Sequence, residues 1–456
     1  MVPAPGRSSS RTADREPERG GSGPGPGSIR PVILASFIGT TIEWYDFFLY
    51  GTAAALVFNR LFFPTLSPLA GTLSAYGTFA VGFVARPLGG ALFGHYGDRL
   101  GRRTMLVWSL LIMGVATALM GLLPGYDRIG VGAPVLLVIL RFLQGIGVGG
   151  EWGGAVLMAV EHSGETGKRG IHGSWPQMGV PAGLLLSTGV FALFSGTLPD
   201  SEFLAWGWRI PFLLSTILIG VGLFIRLRLL EPPVFTRLQE TSTTAAAPLI
   251  EVFRRHPREI LVGMAMRFGQ NVLFYIFTVF ALSYGEKTLG YSKSAMLLGL
   301  AVAAVVGLFT IPVFGALSDR FGRRPVYLAG AVISLLYAFP FFWLLGLGPG
   351  FVPLAIVLGL NVGQDLMYGP QAAYFAELFA TRVRYSGASL VYQLTSVFSG
   401  GLAPFIATLL LARRGVWAVA GYMAASCAIS VIGALFAPET HRASLGGPAI
   451  TRTDGQ

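Results

Sequence analysis

Twelve times this chain runs apolar for about twenty residues before a polar stretch interrupts it, and that rhythm limits its folds more than any other feature. A helix of ~20 apolar residues crosses a hydrocarbon core of ~30 Å, and in hydrocarbon only a helix or a closed barrel satisfies its own backbone. The spans read near 31–58, 67–94, 104–123, 134–160, 174–195, 208–227, 260–284, 294–317, 325–346, 351–376, 388–412 and 416–437. With 53% hydrophobic and 12% charged residues, a 456-residue chain is too poor in charge for a soluble protein. The expectation is an all-α polytopic membrane protein with twelve transmembrane helices. Residues 1–30, rich in Gly, Pro, Ser and Arg, read as a disordered tail with no signal-peptide core, so the first span is expected to stay as an anchor.

The spans fall into two sixes. A polar segment, 228–259, separates them and contains Glu231-Pro232-Pro233 and Arg254-Arg255-His256-Pro257-Arg258. This gives an N-terminal half at 31–227, a linker, a C-terminal half at 260–437 and a short tail at 438–456. The net charge of +11 does not point to nucleic acid, because the basic residues sit in short loops. Of the lysines and arginines outside the spans, 23 fall on the side of the tails and linker and 6 on the other. Both termini are therefore expected in the cytoplasm, with the chain in the bacterial inner membrane. The sole cysteine, Cys427, lies in an apolar run and reads as a packing residue.

A dense polar knot recurs. Gly94, Asp98, Arg99, Gly101, Arg102 and Arg103 set the pattern G-x-x-x-D-R-x-G-R-R. It returns as Gly315, Asp319, Arg320, Gly322, Arg323 and Arg324, 221 positions later. Further matches lie 216 apart: Glu161 with Glu377, each ending a span, and Gln177 with Gln393, each inside the next one. Lys168-Arg169-Gly170 and Arg382-Val383-Arg384 occupy the matching loops. A repeat of this length marks two related membrane halves, which place a transport site at their seam.

Ionisable residues inside the spans point to that site. Each costs at least ~2.5–3.5 kcal/mol to insert, so it needs a partner or a wet cavity. They are Glu43 and Asp46 in span one, Arg86 in span two, Arg141 and Glu151 in span four, Arg267 in span seven and Asp365 in span ten. All but Arg86 lie on the first helix of a three-helix unit, the set expected to face a central axis. Glu43 and Asp46 share a helix face, and two carboxylates that close in a low dielectric do not both ionise readily. With Arg141 they form the expected proton-coupling group; a permanent ion pair with Arg141 or Arg267 is the competing reading. Arg141 and Gln144 offer donors on one face, and an arginine can grip a carboxylate with a bidentate fork. Arg267, Gln270 and Asn271 form a second polar face, and Asn361, Gln364, Asp365 and Tyr368 a third. These amides suit a substrate rich in oxygen, though hydrogen bonds between helices would use them equally well. Gly145, Gly147, Gly149, Gly150, Gly153 and Gly154 in span four allow close helix approach.

The knots resemble the loop motif of the major facilitator superfamily, which follows the second and eighth helices. Glu43-Trp44-Tyr45-Asp46-Phe47, Arg86-Pro87-Leu88-Gly89-Gly90, Val148-Gly149-Gly150-Glu151-Trp152 and Trp206-Gly207-Trp208-Arg209-Ile210-Pro211 resemble its metabolite:proton symporter family, the shikimate-transporter branch most. The resemblance implies the major facilitator fold, with two six-helix halves. It also implies uptake of a small organic acid, such as shikimate or a related carboxylate, together with protons. Tyr45, Gln144, Gln177, Arg267, Gln270, Asn271, Asp365, Tyr368 and Gln393 are the expected substrate ligands. The two knots are the expected gates, with Asp98 and Asp319 pairing with arginines and a helix N-terminus.

A proline/betaine-type osmolyte symporter is the alternative. The tonicity-sensing members carry a long C-terminal coiled coil, whereas 438–456 has no heptads. Gly173-Ser174-Trp175-Pro176-Gln177-Met178-Gly179 lacks the antiporter signature of drug exporters, and neither tail suggests a sensor. No paired metal ligands and no Ser/His/Asp set suggest an enzyme. The expected carrier has no cofactor or metal, is driven by the proton gradient, and acts as a monomer in the lipid bilayer.

Overall fold

The computed structural model describes residues 29–442 apart from 101, 150–151, 154–155, 157–158, 161–166, 229–253 and 380–382. Twelve long helices follow one another. In the first half they are α1 (Ile29–Leu56), α2 (Pro68–Leu100), α3 (Arg102–Leu122), α4 (Gly132–Gly149), α5 (Arg169–Thr197) and α6 (Arg209–Arg228). In the second they are α7 (Pro257–Lys287), α8 (Lys293–Phe321), α9 (Arg323–Leu345), α10 (Pro349–Glu377), α11 (Ser386–Arg414) and α12 (Val416–Phe436). Large apolar side chains such as Ile139, Ile217, Phe309, Leu336 and Ile432 point outward, and the polar groups point in. This inversion suits a hydrocarbon solvent. Most of the tails and linker expected at 1–30, 228–259 and 438–456 lie outside the described residues.

Several helix boundaries depart from the hydropathy reading, and two of them, in α8 and α5, show the physical reason. Helix α8 runs four residues past its apolar stretch, through the second knot, to Phe321. Gly322, at φ +101°, then turns the chain into α9. Helix α5 begins at Arg169, so Arg169 and Gly170 are helical rather than loop residues. Hydropathy stops where side chains become polar, but the backbone stays helical wherever its end groups find partners.

Glycines set how closely the helices cross. At the α2–α4 crossing, side chains at Gly89, Gly145 or Gly149 would drive into the backbone of Ile146, Gly82 or Arg86 respectively. Here the backbones touch, as small residues in membrane helices permit. The seam forms where α5 packs on α8 and α10, and where α2 packs on α11. Three helices of the second half widen into a π turn: α7 at Ile276–Phe280, α10 at Leu358–Gln364 and α11 at Val397–Gly401.

Candidate functional site

The centre of the first half is built on α1. Asp46 is fully buried, and Ser215 of α6 donates to its Oδ1. Gln144 of α4 donates to the backbone carbonyl of Asp46 at 3.4 Å and to Thr117 Oγ1 at 2.7 Å. Arg141 in turn donates to Gln144 Oε1. Arg141 is therefore tied through Gln144 to the backbone of Asp46, not to its carboxylate. Glu43 is buried one turn before Asp46. Tyr45 turns away from the seam and donates to the Pro211 carbonyl of α6 at 2.7 Å.

Arg86 belongs to the same centre. It is 2% exposed, and its Cζ stands 4.2 Å from the ring centroid of Phe47, 4.8 Å from Phe83 and 5.6 Å from Trp44. Arg141 approaches the same Phe47 ring at 4.5 Å and Tyr50 at 4.1 Å. One phenylalanine thus lies under two buried guanidinium groups. Nε and Nη2 of both arginines are buried without a hydrogen-bond partner. Among the described residues, no carboxylate lies within 4 Å of either. Aromatic faces offset part of the cost of burying these charges. The rest calls for an anion. The space for Arg141 comes from Gly82, where any side chain would collide with its guanidinium.

In the second half Arg267 is already engaged. Its Nη1 donates to Gln371 Oε1 at 2.7 Å and its Nη2 to Ser396 Oγ at 3.2 Å, with longer bonds to Gln270 and Asn271. Asn271 donates to Ser399 at 2.9 Å. The Arg267 Cζ lies 3.3 Å from the centroid of Tyr392, and the same ring stacks with Trp152 of the first half at 3.7 Å between centroids. Asp365 lies elsewhere, lining a small pocket of about 20 Å³ with Asn361, Gln364 and Tyr368.

Gln177 and Gln393 both reach across the seam. Gln177 of α5 donates to the Tyr368 carbonyl of α10. Gln393 of α11 donates to the Gly149 carbonyl of α4 at 3.1 Å. The repeat in the sequence is thus also a repeat of contacts.

The halves are tied on both faces. On the face that carries the second knot, Asp319 accepts from the backbone N–H of Gly170 at 2.7 Å and Ile171 at 2.9 Å, capping α5 from the other half. Arg323 pairs with Asp319 at 2.7 Å and with Glu377 at 3.2 Å, and Arg169 reaches Glu377 at 3.4 Å. Gly315 packs on Gly170 and Ser174, while Arg324 donates to the Ala434 and Leu435 carbonyls. Arg320 stands over Phe321. In the first knot α2 continues through Gly94, but Gly101 and the side chains of Asp98, Arg99, Arg102 and Arg103 lie outside the described residues, as do Glu151 and Glu161. On the opposite face Tyr76 donates to Ser283 at 2.8 Å, Lys287 to Thr72 at 3.0 Å, and Lys293 pairs with Asp200 at 2.9 Å.

Sequence reasoning set Arg86 aside because it broke the pattern of one helix in three. The available signal was an arginine in an apolar run.

A family model described as Major Facilitator Superfamily matches residues 36–404. The shikimate transporter of Escherichia coli (strain K12) is 47% identical over 421 residues, covering 91% of this chain and 95% of that protein. The proline/betaine transporter of the same strain is 35% identical over 441 residues, covering 94% and 87%. Among solved structures, a proton:xylose symporter bound to 6-bromo-6-deoxy-D-glucose aligns with a TM-score of 0.73 at 20% identity, covering 92% of this chain and 98% of that one. An inward-open xylose transporter from E. coli aligns with a TM-score of 0.69 at 20% identity, covering 91% and 98%.

Proposed function

The chain belongs to the major facilitator superfamily, and we propose that it carries a small organic anion, shikimate or a related carboxylate, inward together with protons. The observation that carries this reading is the pair of buried guanidinium groups flanking Phe47, with unused donors and no carboxylate beside them among the described residues. A substrate carboxylate supplies the missing charge and accepts a fork from Arg86 or Arg141. The 47% identity to a shikimate transporter supports the same class.

Asp46 is the proton carrier in this reading, with Glu43 one turn away. Gln144 ties Arg141 to the backbone of Asp46 and so holds α4 against α1 beside the carboxyl. The knot face is cytoplasmic, and the site lies between halves at 31–227 and 260–437, joined by 228–259. Breaking the ties on one face while keeping those on the other exposes the centre to each side in turn. Arg267, Gln270 and Asn271 brace the second half. The carrier works as a monomer in the inner membrane, with no cofactor and no catalysed reaction.

The test is uptake into proteoliposomes with the interior alkaline, competed by a panel of hydroxylated acids, aromatic acids and betaines. A carboxylate should win, and a protonophore should abolish accumulation. Stronger competition by betaine would favour the osmolyte reading. Accumulation driven by sodium alone would overturn proton coupling.

A further inference from the structure

Among the described residues, each half holds a buried carboxylate with no cation beside it. In the first it is Asp46. In the second it is Asp365 of α10, 4% exposed. Thr310 of α8 donates to Asp365 Oδ2 at 2.5 Å, and Asn361, one turn earlier, donates to the same oxygen at 2.8 Å. Asp46 is built alike, with the hydroxyl of Ser215 on a neighbouring helix donating to one oxygen. Among the described residues, neither acid has a cation within 4 Å.

Among the described residues, those lining the pocket around Asp365 include no counter-charge. Helix α5 presents Val180, Pro181 and Leu184, and α8 presents Ala303, Ala304, Gly307 and Ile311. Helix α7 presents Phe274, its Arg267 being turned toward Gln371 and Ser396. Helix α9 meets this stretch of α10 with Gly330 and Ser334. The one other titratable group at the pocket is Tyr368. An ionised carboxylate here depends on two neutral donors and on whatever water enters.

The pocket provides that entry. Asn361 Oδ1 and the Tyr368 hydroxyl are both buried without partners, and both residues line it beside Asp365. These atoms suit a buried water beside the acid. The pocket also straddles the seam: Pro181 of α5 packs against Gly307 of α8, next to Asp365. Parting α5 from α8 therefore changes how water reaches the acid.

We propose that Asp365 is a second proton-carrying site, so that each turnover moves two protons with one substrate. One proton adds to each of Asp46 and Asp365 on the outer side, and both leave to water on the inner side. With a monocarboxylate as cargo, the net charge moved is +1, and uptake is electrogenic. With a single proton it would be electroneutral. The inference rests on the proton-coupled reading above and fails separately from it.

The experiment uses the full-length protein in proteoliposomes, with shikimate as the monocarboxylate probe. A potassium diffusion potential, negative inside, is imposed without a pH gradient. The wild type should accumulate shikimate, up to about tenfold for every ~60 mV. Asp365→Asn should lose the voltage response yet keep counterflow and accumulation driven by a pH gradient. If the wild type responds to the pH gradient but not to voltage, the second proton is refuted and the symport reading stands. If neither gradient drives accumulation, both fall. If Asp365→Asn also loses counterflow, Asp365→Glu decides. Voltage-driven uptake restored by the carboxyl supports the proposal, and counterflow without a voltage response overturns it.

Discussion

Asp319 reaches from the second half to cap a helix of the first, so its removal should loosen one face and leave the centre intact. The perturbation is Asp319→Asn. The carboxylate accepts two first-turn amides of α5, at 2.7 and 2.9 Å, and pairs with Arg323 at 2.7 Å. Hydrogen bonds to a charged group contribute ~1.5–3 kcal/mol, against ~1 kcal/mol for neutral ones. The asparagine keeps one acceptor, and Arg323 keeps Glu377. The net loss is then about 1.4–2 kcal/mol, a shift of roughly ten- to thirtyfold toward conformations open on this face. Ser174→Cys gives a reporter: Ser174 is fully buried where α5 meets Gly315 of α8. The native Cys427 is buried and should stay quiet. Maleimide labelling of the reporter should quicken about ten- to thirtyfold in the Asp319→Asn background. Substrate affinity should change little, since the knot lies away from Arg86 and Arg141. An unchanged labelling rate in a folded protein would refute the idea that this cap holds the face shut.

Three further outcomes are expected. Arg86→Lys should cut uptake at least tenfold, mainly through KM, because a point charge replaces a planar fork; unimpaired uptake would remove Arg86 from the substrate site. Gln393→Leu should alter counterflow rate a few-fold while KM stays within about twofold, as for a bond between halves worth ~1 kcal/mol; a tenfold rise in KM would instead place Gln393 on the substrate. Glu439 accepts the backbone N–H groups of Arg323, Arg324, Thr440 and His441. Burial opposes its charge, but these donors hold its carboxyl below the usual glutamate range. A depressed folded value gives stability that is present above about pH 4.3 and lost as pH falls through the folded value. Glu439→Gln should therefore lower the melting temperature in detergent at pH 7, with the gap closing below about pH 4. A gap that widens on acidification would contradict this.

The spans, the repeat and the buried charges were legible because hydrocarbon imposes them residue by residue. Asp46, Arg141, Arg267 and Asp365 stand out in apolar runs for that reason. Their partners do not. Ser215 and Thr310 are ordinary hydroxyls in ordinary helices, and only the packing of α6 on α1 and of α8 on α10 shows what they hold. Gln144 reads as a substrate ligand beside Arg141, yet its amide is shared among Arg141, Thr117 and the Asp46 backbone. Gln177 and Gln393 read as lining for the same reason, since a sequence does not say on which side of a seam an amide finds its carbonyl.

Those two glutamines also bear on descent. Each sits 216 residues from the other, and each crosses to a carbonyl on the fourth helix of the opposite unit, at Tyr368 in one case and Gly149 in the other. In a pair of identical six-helix chains related by a twofold axis, one glutamine would make both bonds, since a self-complementary interface uses every contact twice. Gly149 advanced by 216 is Asp365, three residues from Tyr368, so the two contacts differ in register by less than one helical turn. An ancestor of this kind assembles without a tether. The two halves, made as separate polypeptides, should still find each other in the membrane, and failure to co-purify would show that the tether has since become indispensable.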